Sequence, residues 1–306
     1  MDSKKIPLGF CIPTHNRADY LEKTIKSIID SDPSVEINIS DNASEDKTIQ
    51  IVKEIKKMYP GVKINFFRQK RNVGFDSNLL KSVELASSDY CWLISDDDLP
   101  HTGSISKIKS VITRLPRASL IHVNYSRFDN LLKKITARRM VGDITRDILF
   151  EDASVFFFKP ITKSYFKFLG TNVITMSTNI VNRKQWLKSA LKIEKFIGHN
   201  FIHCFVILSM IQKQPIIYYV SNPQIQYLAN NHRVWPNDVW KDYNKVLLDY
   251  LFKLGYPMDE IEKMRQCQEK YERNEAIMND PVYKHAYRLA RPFLALARYF
   301  RDIVFG

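Results

Sequence analysis

Three consecutive carboxylates, Asp96, Asp97 and Asp98, directly follow the apolar run Tyr90–Ile94. Such a short apolar run is typical of a buried β-strand, so the acids stand at its carboxyl end. In an open α/β sheet, ligands bind at that edge. Adjacent carboxylates repel one another unless a cation or a shared proton relieves them, which indicates a divalent ion bridging to a phosphorylated ligand. The alternative is a helix cap, with one acid closing a helix that starts near His101.

The residues around this triplet alternate between short apolar runs and segments with apolar side chains at helical spacing. We predict strands at Leu8–Pro13, Val35–Ser40, Val62–Phe67 and Tyr90–Ile94, and helices at Ala18–Asp30, Asp46–Met58 and Phe75–Ala86. Strand–helix alternation with short connections predicts an α/β fold whose mainly parallel sheet carries helices on both faces.

Polar residues follow all four predicted strands. The segments are Pro13–Arg17, Asp41–Ser44, Arg68–Gly74 and Asp96–Asp98. Each could be turn chemistry alone, and Asn42 or Ser44 is expected to cap the second helix. Four polar ends at one sheet edge nevertheless indicate a ligand site more strongly than any single one. The first turn lacks GxGxxG and the chain has no Walker A sequence, so phosphates are expected to meet a divalent ion and basic side chains such as Arg17 and Arg71.

The bulk composition restricts the class of protein. The formal net charge of +13 favours anionic partners, although the basic residues are scattered and could serve solubility alone. The four cysteines form no CxxC pair, which fits a reducing compartment. The sequence shows no signal-peptide stretch and no apolar run near 18 residues, so we expect a cytoplasmic protein without a membrane span.

The strand-end segments resemble the family 2 glycosyltransferases of GT-A fold. The segments that carry the resemblance, in the family's order and spacing, are Ile12–Arg17, Ser40–Asp46, Asn72–Phe75 with Asn78, and Ser95–Asp98. The sequences of these segments are most similar to the abequosyltransferase-type branch of the family. The resemblance implies the GT-A, or nucleotide-diphospho-sugar transferase, fold. The resemblance covers residues 8 to about 110. We expect a nucleotide-sugar-binding half of the GT-A domain at 1–125, an acceptor-binding half at 126–235 and a C-terminal helical extension at 236–306.

The resemblance also implies roles for the strand-end residues. The candidate donor-binding residues in this region are Pro13, Thr14, Asn16, Arg17, Asp41, Arg71, Asp96 and Asp97. In the family, the Pro-Thr segment and the Asp after the second strand hold the base, and an Arg after the third strand lies nearby. Asp96 would contact the ribose, Asp98 would bind Mn²⁺ or Mg²⁺, and Asp97 could do either or orient the turn.

The implied reaction moves a sugar from a nucleotide-diphosphate donor, with UDP favoured, to a hydroxyl of a saccharide acceptor. A divalent ion stabilises the charge on the departing diphosphate, and a base deprotonates the acceptor hydroxyl, usually with inversion at the sugar carbon. Many bacterial relatives extend polyprenyl-diphosphate-linked saccharides for surface polysaccharides or glycans. Residues 126–170 are expected to shape the acceptor pocket.

The catalytic base departs from the family pattern. The family often places it in a Glu-Asp pair that opens a helix, but the comparable helix Gly198–Leu208 contains no acid. His203 falls closest to the expected position and His199 lies one turn earlier; either could act as a base near neutral pH, pack in the interior or bind an acceptor phosphate. Glu194 and Asp152 are the acidic alternatives.

The C-terminal third carries two further features. His232 and Arg233, in a polar segment at 230–235, could close over the donor diphosphate or belong to an ordinary surface loop. The stretch Asp238–Cys267 is predicted to be helical and to scaffold the core.

The segment Pro281–Phe305 is predicted to form an amphipathic helix, kinked at Pro292. Its basic stripe comprises Lys284, Arg288, Arg291, Arg298 and Arg301. Such a helix suits an anionic membrane surface, so we expect peripheral association with the inner face of the cell membrane through residues 281–305. The alternative is a helix packed on the protein's own core.

Two other classes remain as alternatives. A nucleic-acid-binding protein would fit the charge, but acids at the ligand edge would repel phosphate without a metal, so no nucleic-acid partner is expected. A nucleotidyltransferase could also use paired Asp residues and a divalent ion, but its Gly-rich, basic phosphate loop is missing near the N-terminus.

Overall fold

The computed structural model describes residues 7–128, 135–162, 167–228 and 237–279. The chain divides into two compact units, Met1–Gly255 and Tyr256–Gly306. In the first unit the strands are β1 Leu8–Thr14, β2 Glu36–Asp41, β3 Lys63–Arg68, β4 Tyr90–Leu93, β5 Leu99–Pro100, β6 Leu120–Phe128, β7 Ile135–Ala137, β8 Ile148–Phe150, β9 Asn179–Asn182 and β10 Ile217–Leu228.

The helices surround these strands. In the first unit they are α1 Ala18–Ser31, α2 Thr48–Met58, α3 Gly74–Glu84, α4 Ser104–Arg114, α5 Ala153–Phe157, α6 Arg183–Ala190, α7 Ile202–Lys213 and α8 Asn237–Lys253. Three 3-10 turns lie at Leu169–Ile174, Met176–Thr178 and Glu194–Phe196. The second unit contains α9, Met258–Asn279.

All described strands of the first unit belong to one mixed sheet with the order β3-β2-β1-β4-β9-β6-β10-β5, to which β7 and β8 add at β6 and β10. The part built from β3, β2, β1 and β4 is entirely parallel, as the strand–helix alternation predicts. Beyond it, β9 runs antiparallel to both β4 and β6. The predicted α/β sheet with flanking helices is confirmed, with antiparallel pairs added in its second half.

The parallel half is held together by a continuous apolar core. Every residue of β1 is buried, and α1 buries Leu21, Ile25 and Ile28, the stripe that helical spacing predicts. Burying one such side chain contributes about 2 kcal/mol. Because the strands are parallel, their carboxyl ends, and the polar residues that follow them, meet at one edge.

The C-terminal stretch Asp238–Cys267 is helical, as predicted, but consists of parts of two helices. It is divided between α8 and α9 by the turn at 254–257, where Gly255 adopts a φ of +80°. Glycine enters this left-handed region without the Cβ clash that other residues meet, and Pro257 follows as a further helix breaker. Within the described part of the chain, every helix is too short or too polar to cross a bilayer.

Candidate active site

The strand ends of the parallel half are joined by direct hydrogen bonds. The Asn42 backbone N–H donates to the Thr14 carbonyl at 2.9 Å, and the Gln69 N–H donates to the Asp41 carbonyl at 2.8 Å. The Thr14 hydroxyl donates to Asp96 Oδ2 at 2.8 Å, across 82 residues of sequence. The segments that follow β1, β2, β3 and β4 therefore form one continuous polar edge, as predicted.

Arg17 is the counter-ion of two of the three adjacent acids. Its Nε lies 3.2 Å from Asp96 Oδ1, and its Nη2 forms an ion pair with Asp97 Oδ2. Burial alone would lower the pKa of Arg17, but the two carboxylates raise it. Arg17, predicted from sequence to meet phosphate, therefore holds the acidic turn in this structure.

Asp98 has a different environment. Its Oδ2 accepts a hydrogen bond from the Ser177 hydroxyl at 2.5 Å, and its Oδ1 accepts one from the Leu228 N–H at 2.9 Å. None of the described residues forms an ion pair with it. Burial, and then the negative charge of Asp97, raises its pKa well above the ordinary value. A buried carboxyl beside like charges and without a counter-ion is chemically suited to a hard cation.

The helix-cap alternative for the acidic triplet is wrong. Helix α4 begins at Ser104, and its N-cap is Gly103, which makes no side-chain capping bond. The acidic turn is instead fixed through its backbone, because the Thr24 hydroxyl on α1 donates to the carbonyl oxygens of Asp96 and Asp98 at 3.0 and 3.2 Å. The carboxylates are thereby left at the sheet edge.

The ends of β2 and β3 contribute a second charged pair. Asp41 is fully buried; its Oδ1 accepts from the Ser44 N–H at 3.0 Å, and its Oδ2 lies 3.4 Å from Arg68 Nε. Arg68 also donates to the Ser44 carbonyl at 2.8 Å. Arg71, predicted to lie near the base, is exposed. Arg68 was missed, although Asp41 and Arg68 both end their strands and are register partners.

The loops after β1 and β2 are tied together by small polar side chains. Ser44 accepts from the Asn16 N–H at 2.9 Å, and Asn16 Oδ1 accepts from the Glu45 N–H at 2.7 Å. Asn42 accepts from the Val73 N–H at 2.8 Å. The expectation that Asn42 or Ser44 caps α2 is therefore wrong, since both are used between loops. Asn16 itself has a φ of 53°, a conformation that asparagine tolerates better than most residues.

Asp76, in the first turn of α3, connects this edge to the second half of the first unit. Its carboxylate accepts from the backbone N–H groups of Gly198, Asn200 and Ile202 at 2.8, 2.9 and 3.1 Å. It therefore satisfies, from another element, the free N–H of Ile202, the first residue of α7, and two N–H groups of the preceding turn. Sequence analysis missed this role, because an acid in the first turn of a helix ordinarily serves its own helix.

Residues of this polar edge lie within a match to a known protein family. The model of the glycosyl transferase family 2 matches residues 10–191, more than half of the chain. The chain belongs to this family. The predicted family and GT-A-type fold are thereby confirmed, and the protein is a glycosyltransferase.

Relatives of this glycosyltransferase include sugar transferases with different donors. The abequosyltransferase RfbV of Salmonella typhimurium is 28% identical over 234 residues, covering 73% of this chain and 67% of the relative. The GalNAc(5)-diNAcBac-PP-undecaprenol beta-1,3-glucosyltransferase of Campylobacter jejuni is 24% identical over 261 residues, covering 81% of this chain and 82% of that one.

Crystal structures of S. aureus TarS 1–349 have the same fold. The one in complex with UDP has a TM-score of 0.61 at 11% identity and covers 84% of this chain and 68% of that chain; the one in complex with UDP-GlcNAc has a TM-score of 0.59.

The two histidines proposed as base lie in different environments in this glycosyltransferase. His203 is buried in α7; its Nε2 lies 3.0 Å from the Ile174 carbonyl, and burial lowers its pKa to about 4. His199, in the turn before α7, is half-buried, and its Nδ1 lies 2.7 Å from Asp242 Oδ2 on α8.

The acidic alternatives lie at other helix starts. Glu194 is exposed in the 3-10 turn Glu194–Phe196. Asp152 caps the short helix α5 by accepting from the N–H groups of Ser154 and Val155. His232 and Arg233 lie outside the described residues, as does the segment Pro281–Phe305.

Proposed function

We propose that this glycosyltransferase moves a sugar from a nucleoside-diphosphate donor, UDP being favoured, to a hydroxyl of a lipid-linked saccharide, in a metal-dependent and inverting reaction. The observation that carries the proposal is Asp98, a buried carboxyl without an ion-pair partner among the described residues, held at the carboxyl edge of four parallel strands. Crystal structures of the same fold contain UDP and UDP-GlcNAc, which supports a UDP-sugar.

The donor would lie across the strand ends. Asp41, with Arg68 beside it, would meet the base, and Asp96, which accepts a hydrogen bond from Thr14, would meet the ribose. Pro13 and Thr14, at the end of β1, would also contact the base. Asn16 and Arg17 hold the surrounding turns, and Arg71, His232 and Arg233 remain proposed contacts of the donor.

Asp98 would hold Mn²⁺ or Mg²⁺, together with oxygens of the donor diphosphate. When bound, such an ion supplies charge neutralisation for the departing nucleoside diphosphate. Among the described residues, no group of three or more His, Cys, Asp or Glu side chains is arranged to hold a metal. Arg17 supplies one positive charge against the two carboxylates of Asp96 and Asp97, so this turn keeps excess negative charge that a cation at Asp98 would balance.

A base is required to take the proton of the acceptor hydroxyl as its oxygen attacks the sugar carbon. With a pKa of about 4, His203 is a weak base at neutral pH, and its Nε2 already meets a carbonyl. Glu194 and Asp152 stand in other surroundings, one exposed and one used as a cap. His199 is the candidate with an accessible ring, so we assign it this role.

The acceptor and the location of the enzyme are proposed from the relatives and the tail sequence. A relative is named for a substrate carried on PP-undecaprenol, which is both anionic and lipidic. The basic and apolar stripes of 281–305 would suit the same surface, so we propose a peripheral position on the inner face of the cell membrane, with no nucleic-acid partner.

The proposal is tested by titrating the full-length protein with UDP-GlcNAc, UDP-glucose and dTDP-rhamnose in an isothermal calorimeter, with Mn²⁺ and with EDTA. We expect Mn²⁺-dependent binding of at least one donor, followed by release of the free nucleoside diphosphate when an acceptor is added. A nucleotidyltransferase would instead release pyrophosphate from a nucleoside triphosphate. No binding of any donor in the presence of Mn²⁺ would contradict the proposal.

A further inference from the structure

His199 and Asp242 form a hydrogen-bonded pair between two elements. The Nδ1 of His199 lies 2.7 Å from Oδ2 of Asp242, in the second turn of α8. The other ring nitrogen, Nε2, has no hydrogen-bond partner among the described residues, and the side chain is 27% exposed. A carboxylate at Nδ1 selects the tautomer in which Nδ1 carries the hydrogen, so the lone pair of the neutral ring is at Nε2.

Aromatic packing fixes the position of Asp242. Tyr243, the next residue of α8, packs on Phe201 with ring centroids 4.5 Å apart. Two turns later, Tyr250 packs edge-on against Phe196 at 4.8 Å. These contacts hold α8 against the start of α7 on both sides of His199, so the carboxylate is presented to the imidazole by a packed helix.

The backbone of His199 is held beside the donor edge by Asp76. The N–H groups on either side of it, those of Gly198 and Asn200, both donate to Asp76 Oδ2. Two residues further along α3, Asn78 donates to the carbonyl oxygens of Thr14 and Ser40, at the ends of β1 and β2. A short chain of hydrogen bonds therefore runs from the strand ends to the turn that carries His199.

His199 lines an open cleft. Its volume is about 250 Å³, and it lies between α8 and the turn before α7. The lining residues are Lys195, Phe196, His199, Val246, Asp249, Tyr250 and Lys253. Aromatic side chains together with a few charged groups are a common lining of ligand-binding clefts. The charged groups near His199 are Asp242, which contacts its ring, Asp76, which interacts with it electrostatically, and Lys195, Asp249 and Lys253, which line the same cleft.

We propose that Asp242 is a positioning residue that holds His199 as the catalytic base, and that the cleft beside them admits the acceptor sugar. This inference rests on the proposed function. The acceptor O–H proton passes to Nε2, its oxygen forms the new bond to the sugar carbon, and the bond from that carbon to the donor diphosphate breaks. The electron pair of that bond leaves with the nucleoside diphosphate, so atoms and charge balance.

The pair has little structural importance by itself, which makes it testable. Asp242 is 58% exposed, and exposed ion pairs contribute little to folding. Asp242→Asn keeps the size of the side chain and should leave the protein folded. Asp259→Asn is the matched control, because Asp259 is an exposed helical carboxylate that contacts Lys263 in α9.

The experiment measures transfer to farnesyl-diphosphate-linked N-acetylglucosamine from the donor found by calorimetry. His199→Ala should lower kcat on the order of 100-fold and Asp242→Asn about 10-fold or more, with the Kd for donor unchanged. Added imidazole should restore part of the activity of His199→Ala, because truncation leaves space for the free ring. Asp242→Glu should recover part of the loss, and Asp259→Asn should match the wild type.

Failure of this inference can be distinguished from failure of the proposed function. A kcat within twofold of wild type in either Asp242→Asn or His199→Ala would overturn the inference. So would loss of donor binding in His199→Ala, or the absence of any imidazole rescue, since a base is not required to hold the donor. If the wild type bound no sugar nucleotide, the proposed function itself would fail.

Discussion

The carboxylate of Asp76 accepts a hydrogen bond from the backbone N–H of Ile202, 126 residues further along the chain. Together with the N–H groups of Gly198 and Asn200, this contact ties the start of α7 to the polar edge of the sheet. A side chain on α3 thus acts as the cap of a helix that is remote in sequence.

Replacing Asp76 with Ala should leave these three N–H groups without their acceptor. The bond to the Ile202 N–H is buried, and an unsatisfied buried group costs about 1–3 kcal/mol, so we expect the free energy of unfolding to fall by about that amount in urea denaturation. Asp76→Asn retains one acceptor oxygen and should lose less. In Asp76→Asn, kcat should fall while the Kd for donor holds, because the turn bearing His199 shifts; an unchanged kcat would contradict this.

The buried histidines predict a pH dependence of stability. Burial lowers the pKa of both His122 and His203 to about 4, against about 6.5 in an unfolded chain. Below about pH 6.5 the unfolded chain binds protons that the folded protein does not, so stability decreases as pH falls toward 4. The expected loss at pH 5 is about 2 kcal/mol for each histidine.

This effect is measured by urea unfolding of the wild type and of His122→Gln at pH 7 and pH 5. The carboxylates titrate in both proteins, so the difference between them isolates the histidine. The variant should lose about 2 kcal/mol less stability between the two pH values than the wild type. Equal losses in the two proteins would show that His122 is not kept neutral by burial.

Substitutions of Arg68 and Arg71 should affect binding of the nucleotide base differently. Arg68 lies 3.4 Å from the buried Asp41, whereas Arg71 is exposed. Arg68→Ala should raise the Kd for the preferred sugar nucleotide about 10-fold, equivalent to about 1.4 kcal/mol, because Asp41 loses its cation. Arg71→Ala is the matched comparison and should have the smaller effect in the same titration. A larger effect of Arg71→Ala would show that Arg71, the residue indicated by the family resemblance, contacts the base instead.

Asp98 is expected to link donor binding to the metal. Asp98→Ala should abolish the Mn²⁺-dependent part of donor binding measured by calorimetry, since Asp96 and Asp97 are both engaged in ion pairs with Arg17. His203→Ala, a change in a residue that faces a backbone carbonyl, should spare that binding. Mn²⁺-dependent affinity that survives in Asp98→Ala would remove this residue from the metal site.

The basic C-terminal segment makes a separate prediction. Deleting residues 281–306 should shift the protein from membrane to soluble fractions while slow donor hydrolysis survives. A full-length variant with Arg288, Arg291, Arg298 and Arg301 changed to Gln should weaken binding to phosphatidylserine vesicles, because each basic residue near an anionic surface contributes about 1 kcal/mol. Unchanged fractionation of the deletion protein would count against a membrane role for this segment.

Much of the donor edge follows from the sequence alone. The apolar runs and helical stripes determined the parallel half of the sheet, because burial of Leu21, Ile25 and Ile28 against a strand requires only local periodicity. The acids after Tyr90–Ile94 then had to stand at the ligand edge, since parallel strands end on the same side. The family followed from the same segments.

The partners of the side chains at this edge were decided only by tertiary structure. Arg17 forms ion pairs with both Asp96 and Asp97, which lie about 80 residues further along the chain, and the sequence carries no signal of that pairing. Likewise, whether His199 or His203 is accessible depends on how α7 packs against its neighbours, because both histidines sit at similar positions in the same sequence pattern. Local periodicity specifies which face of an element is buried, but only the packing of distant elements specifies which charge meets which.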